Sequence, residues 1–130
     1  MAIVYIDTSA LARVLLGEPD AQVILRELDS FDHHIASRLL RVELRRVALR
    51  EGRLAETDQL LAGVALFPLD QTILSAAESL PPSTVRTLDA IHLATALQAA
   101  RTTGLDALLT YDAQLAAGAR EHGLTTLAPG

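Results

Sequence analysis

The chain has 130 residues, half of them hydrophobic and 21% charged, which suits one domain with a buried core and is too apolar for wholesale disorder. It contains no Cys and all eleven basic residues are Arg, which excludes a disulfide framework, a thiolate metal site, a Cys nucleophile, a Lys Schiff base and a P-loop lysine. Sixteen acidic residues give a net charge of −5, and aromatic residues are only 3%, so neither bulk positive charge nor base stacking can be the main grip on a nucleic acid.

The opening stretch over 1–6 is apolar but lacks a basic leader and is interrupted by Asp7, so it does not read as a signal peptide; no stretch has the length and character of a membrane span. A cytoplasmic protein without membrane association is expected. Residues 3–6 read as a strand, Asp7-Thr8-Ser9 as a polar turn, and 10–16 as a helix that Gly17 and Pro19 end. Asp20 is placed to cap a second helix to about residue 28. His34-Ile35-Ala36 reads as a short strand, and Ser37 caps a long helix to Glu51, stopped by Gly52. A helix over 54–66 follows, then an extended segment around Phe67-Pro68-Leu69 and a helix over 71–80 that Pro81-Pro82 stops. Thr87 is placed to cap a helix over 88–101, ended by Gly104; a strand over 107–110, a helix over 113–121 and an extended piece over 124–127 complete the chain. Short apolar strands alternating with helices predict a single α/β domain over 1–130, with a mainly parallel central sheet and a crevice at the carboxyl ends of its strands.

Three carboxylates fall where that crevice should be. Asp7 directly follows the first strand and Asp112 follows the strand over 107–110 by two residues. Asp89 lies in the first turn of its helix, where free backbone N–H groups favour the anion. Glu43 would join them if its Arg-rich helix packs beside the first strand. Clustered carboxylates repel, raise each other's pKa and call for a cation. An all-oxygen set without Cys suits Mg²⁺ or Mn²⁺, ions that act on phosphate esters, so phosphodiester hydrolysis is the matching chemistry. The same Asp residues also read as turn residues or helix caps, and Glu43 as half of an ordinary ion pair with Arg46.

Four segments carry a further signal: Ile3-Val4-Tyr5-Ile6-Asp7-Thr8-Ser9-Ala10-Leu11, Ser37-Arg38-Leu39-Leu40-Arg41-Val42-Glu43-Leu44-Arg45-Arg46, Leu88-Asp89-Ala90-Ile91-His92-Leu93-Ala94-Thr95-Ala96 and Leu109-Thr110-Tyr111-Asp112. In this order, and across the whole chain, they resemble the PIN domain, in particular the VapC-type toxins of bacterial toxin–antitoxin modules. The resemblance implies a three-layer α/β/α sandwich and a Mg²⁺-dependent endoribonuclease, with Mn²⁺ as a substitute ion. It also implies a homodimer and neutralisation by a cognate antitoxin. It places Asp7, Glu43, Asp89 and Asp112 in the acidic cluster, with Asp7, Asp89 and Asp112 as metal ligands. Asp106 competes with Asp112 for the fourth place; Asp112 is preferred for its Thr-x-Asp context. Thr8, Ser9 and Thr110 would hold these carboxylates or their waters, although Thr8 and Ser9 equally suit a helix cap.

Around the long helix, Arg46 and Arg50 fall on the Glu43 side and are assigned to substrate phosphate, or to pairing with Glu43 in its absence. Arg38, Arg41 and Arg45 form a far, solvated stripe. Of the two apolar flanks between them, Leu40-Leu44-Val47 and Leu39-Val42-Leu49, one sheet buries only one; the other needs a helix, a second subunit or a protein partner. His92, three residues after Asp89, is read as a packed core residue, and His33, His34 and His122 are assigned no chemistry. Two rival readings remain. One is a non-catalytic α/β interaction module with a degenerate acidic site. The other is a phosphatase or phosphotransfer receiver using Asp7, which the missing second acid two residues on and the missing Lys disfavour.

Overall fold

A computed structural model describes all 130 residues, Met1–Gly130. Five strands, β1 (Ile3–Ile6), β2 (His33–Ser37), β3 (Val64–Phe67), β4 (Ala107–Leu109) and β5 (Thr126–Leu127), form one sheet in the order β3-β2-β1-β4-β5, with every pair parallel. Seven helices cover it: α1 (Thr8–Leu15), α2 (Ala21–Asp29), α3 (Arg38–Glu51), α4 (Leu54–Leu61), α5 (Gln71–Ser79), α6 (Thr87–Thr102) and α7 (Ala113–Glu121).

Alternation along β1 divides the core in two. Val4 and Ile6 face a cluster with Leu11, Ile24, Leu40, Leu44 and Leu61 from α1 to α4, whereas Tyr5 faces Leu93, Ala96, Leu115 and Ala119 from α6 and α7. The result is a three-layer α/β/α sandwich with β1 at its centre, buried on both sides as a parallel strand requires. Each fully buried Leu contributes about 2 kcal/mol by leaving water. α5 packs on α6 rather than on the sheet's other face.

The caps follow local chemistry in four helices. The side chains of Asp7, Ser37, Asp70 and Asp112 accept from backbone N–H groups of the helices they open, and Gly52 closes α3 in the left-handed conformation with φ +68°. Two expected caps are corrected. Asp20 makes no capping bond: its backbone, at ψ 5°, is not extended as a capping residue's is, and its carboxylate pairs with Arg13 at 3.1 Å. Thr87 is already the first residue of α6, behind Arg86, so its side chain does not cap. The helix expected over 54–66 ends at Leu61, and Val64–Phe67 pairs with β2 as β3, three residues ahead of the extended segment the sequence suggested. The run is apolar enough for either state; Gly63 breaks it, and the open edge of β2 decides. No helix is long and apolar enough to cross a membrane.

Candidate active site

The strand order reverses at β1: β2 and β3 build outward on one side, β4 and β5 on the other. Connections diverge there and leave a crevice at the carboxyl ends of β1 and β4. Ile6 is in register with Leu109, so the next residues, Asp7 and Thr110, meet across the crevice floor. Thr110 Oγ1 donates to Asp7 Oδ2 at 2.8 Å, and Ser9 Oγ donates to the same oxygen at 2.6 Å. Main-chain amides fix the direction of both bonds. Tyr111 N–H donates to Ser9 Oγ and Asp112 N–H to Thr110 Oγ1, leaving each hydroxyl hydrogen for Asp7. Asp7 Oδ1 makes no hydrogen bond and lies 3.6 Å from His92 Nε2.

Glu43 reaches the site from α3, in the layer beneath β1, and His92 and Asp89 reach it from α6, in the opposite layer. Glu43 Oε1 accepts from Thr8 Oγ1 at 2.6 Å and meets His92 Nε2 at 2.7 Å, while its other oxygen makes no hydrogen bond. Burial pushes the Glu43 pKa up, but the bonds from His92 and Thr8 outweigh it and hold the carboxyl below its ordinary value. For His92 burial favours the neutral ring, yet the bond to Glu43 and the charges of Asp7, Glu43 and Asp89 raise its pKa. Asp89 behaves opposite to its position in a helix's first turn. Burial and the charges of nearby Asp112 and of Asp7 push it up to about 7.

All four expected acids therefore converge on one crevice, and Thr8, Ser9 and Thr110 bind their carboxylates. Thr8 and Ser9 do not cap α1; Asp7 does, accepting from Ser9 N, while their hydroxyls serve the acids. Asp112 opens α7 through a bond from Leu115 N, and its charge acts on Asp89. Asp106 is excluded from the crevice, because its Oδ2 accepts from Ile3 N at the amino end of β1, at 2.7 Å. Arg46 and Arg50 are exposed and make no ion pair, and Arg46 does not pair with Glu43, whose bonded oxygen is taken by Thr8 and His92.

Comparison with known proteins decides the family. The PIN domain model matches residues 4–121. The chain belongs to the PIN domain family. This PIN domain is 40% identical to Ribonuclease VapC47 of Mycobacterium tuberculosis over 134 residues, covering 98% of this chain and 97% of that protein. It is 35% identical to Ribonuclease VapC46 of the same species, covering 99% of each. In structure it resembles a toxin–antitoxin complex from Klebsiella pneumoniae, with a TM-score of 0.73 and 21% identity over 100% of this chain and 98% of that one.

Two residues of the PIN domain site escaped sequence reading. His92, taken as a packed core residue, is fully buried but touches Glu43; Tyr5, read only as a strand residue, bonds His92 Nδ1 at 2.8 Å. The available signal was a polar ring at a core position of α6 and a lone Tyr in an otherwise aliphatic strand. As they stand, no three Asp, Glu or His side chains adopt a metal-ligating arrangement, and hydroxyl and imidazole donors occupy one oxygen each of Asp7 and Glu43. The donor set nonetheless fits a hard divalent cation. Asp7 and Glu43 each keep one oxygen free of hydrogen bonds, and Asp89 carries the repulsion of two further carboxylates that a cation would relieve.

Proposed function

We propose that this PIN domain is a VapC-type toxin, an endoribonuclease that uses Mg²⁺, with Mn²⁺ as a substitute, to hydrolyse RNA phosphodiester bonds. The convergence of Asp7, Glu43, Asp89 and Asp112 at the strand-reversal crevice carries this reading, and the names of its curated relatives support it. Asp7, Asp89 and Asp112 would hold the ion. Bound there, it would lower the pKa of a water and neutralise charge on the scissile phosphate. Ser9 and Thr110 keep one Asp7 oxygen engaged so that the other faces the crevice. Glu43, fixed by Thr8 and His92, presents its free oxygen toward the same space and is placed to orient the attacking water. Arg46 and Arg50, unpaired on the Glu43 helix, are assigned to the RNA phosphates on either side.

A protein partner belongs to the same reading. Of the flank Leu39-Val42-Leu49 on α3, Leu39 is buried, but Val42 and Leu49 stay 50% and 52% exposed, which supports a homodimer or a cognate antitoxin; a cytoplasmic location is part of the same proposal. The deciding experiment is cleavage of RNA by purified protein with Mg²⁺, with EDTA, and after Asp7→Asn or Asp89→Asn. EDTA and each substitution are expected to lower cleavage by about 100-fold or more with circular dichroism unchanged. Full cleavage by both variants, or in EDTA, would refute the mechanism and favour the non-catalytic interaction module.

A further inference from the structure

Among the largest fully buried side chains, all are aliphatic except Tyr5 and His92, and both are completely shielded from solvent. Packing alone would be served as well by Phe and Leu, because a buried polar atom stabilises only when it is bonded. Here every polar atom of the pair has a partner, and the partners form a closed loop. Ser37 N–H, at the start of α3, donates to the Tyr5 hydroxyl at 3.2 Å. The phenol hydrogen is then available for His92 Nδ1 at 2.8 Å, which places the ring hydrogen on Nε2, 2.7 Å from Glu43 Oε1. Glu43 is itself on α3, so the loop runs from that helix through β1 and α6 and back. A protonated ring would also donate from Nε2, so the bond to Glu43 persists in either state.

We propose that His92 is a positioning residue: oriented by Tyr5 and the Ser37 amide, it holds the Glu43 carboxylate with one oxygen engaged and the other turned to the cation and its water. Thr8 completes the clamp from the start of α1, its hydroxyl 2.6 Å from the same Glu43 oxygen. Glutamate has three rotatable bonds, and without a fixed donor its carboxylate would lose the orientation that catalysis and ion binding need. This role rests on the ribonuclease reading above.

The test combines Mn²⁺ affinity by electron paramagnetic resonance, RNA cleavage, and the ring nitrogen spectrum of His92 in metal-free protein. His92→Leu keeps the packing volume and removes the donor; it is expected to lower cleavage by about 10- to 100-fold and Mn²⁺ affinity by a smaller factor, since Glu43 reaches the ion through its water. His92→Gln, whose amide nitrogen can stand near the Nε2 position, is expected to recover most of that loss. Tyr5→Phe should shift the Nδ1 resonance and lower Mn²⁺ affinity by less than His92→Leu does. A His92→Leu protein that binds Mn²⁺ and cleaves like wild type overturns the proposal, as does a His92→Gln protein as impaired as a folded His92→Leu protein. Should the Leu variant not fold, His92→Gln and Tyr5→Phe decide: a wild-type ring spectrum and Mn²⁺ affinity in Tyr5→Phe would count against the relay. Wild-type protein that neither binds Mn²⁺ nor cleaves RNA overturns the ribonuclease reading itself, whereas failure of the variants to differ overturns only the positioning role.

Discussion

Two carboxylates of the crevice are treated in opposite ways by their surroundings, and the difference is measurable. Asp89 ionises near its ordinary value of 3.8 in an unfolded chain but at about 7 in the metal-free fold, because burial and the Asp112 and Asp7 charges disfavour its anion. Between those values the native state keeps a proton that the unfolded state has released, so this group lowers stability as pH rises through the window. The Glu43–His92 pair adds to the trend. The raised His92 pKa stabilises fully below its ordinary 6.5 and is lost as pH climbs through the raised value, while the lowered Glu43 pKa stabilises above its ordinary 4.5 and is lost only as pH falls through the depressed value. In EDTA, Tm followed by circular dichroism should therefore be highest on the mildly acidic side and fall toward pH 8. Excess Mg²⁺ should flatten that fall, and Asp89→Asn should raise the metal-free Tm at pH 8. A metal-free Tm that climbs steadily from pH 5 to 8 would contradict the electrostatic account.

Helix α7 offers a case where tertiary contact reverses local preference. Gly118 sits inside it, where Ala would be better by about 1 kcal/mol in a free helix. A Cβ at that position would stand 2.7 Å from Val85 Cγ2 and 3.4 Å from Pro82 Cδ, and valine has little rotamer freedom to retreat. Gly118→Ala should therefore destabilise by about 1–2 kcal/mol in urea unfolding, the overpacking cost less the helical gain. In a Val85→Ala background the same change should be neutral or stabilising; equal costs in both backgrounds would show that the close approach is not the cause. Such contacts also explain what could be read from the sequence. β1, α3 with its Ser37 cap and Gly52 stop, and α7 with its Asp112 cap were legible because adjacent residues specify them. The end of α4 and the start of β3 were not, because the choice lay with the edge of β2. Asp7 and Asp112 announced themselves as strand-end acids and Asp89 as a first-turn acid, and the motif resemblance placed Glu43 beside them. The neutral tendency of Asp89 and the Tyr5–His92–Glu43 loop depend on side chains from opposite layers meeting above β1, which no spacing along the chain encodes.

For the molecule as a whole, the question is how a chain of net charge −5 would hold the RNA that the proposed function requires. Long-range attraction is unavailable, so under the proposed ribonuclease function binding would rest on a cation at the crevice and on the few guanidinium groups left free beside it. Several Arg side chains are already engaged: Arg13 with Asp20 and over the Tyr111 ring, Arg45 with Asp58, and Arg53 with the Leu15 carbonyl. Arg46 and Arg50 remain exposed about one and two helical turns beyond Glu43. If these two are the phosphate contacts, the logarithm of the RNA association constant should fall against the logarithm of salt with a slope of only about −1.4, from about 0.7 per contact on a single strand. Arg46→Ala and Arg50→Ala should each reduce the magnitude of that slope by about 0.7 and raise KM without a matching loss of kcat. The measurement is made at one fixed Mg²⁺ concentration, because the divalent ion competes for the same phosphates. A slope several times steeper, or one unchanged in both variants, would move the RNA track away from Arg46 and Arg50 and onto other exposed arginines, Arg38 and Arg86 among them.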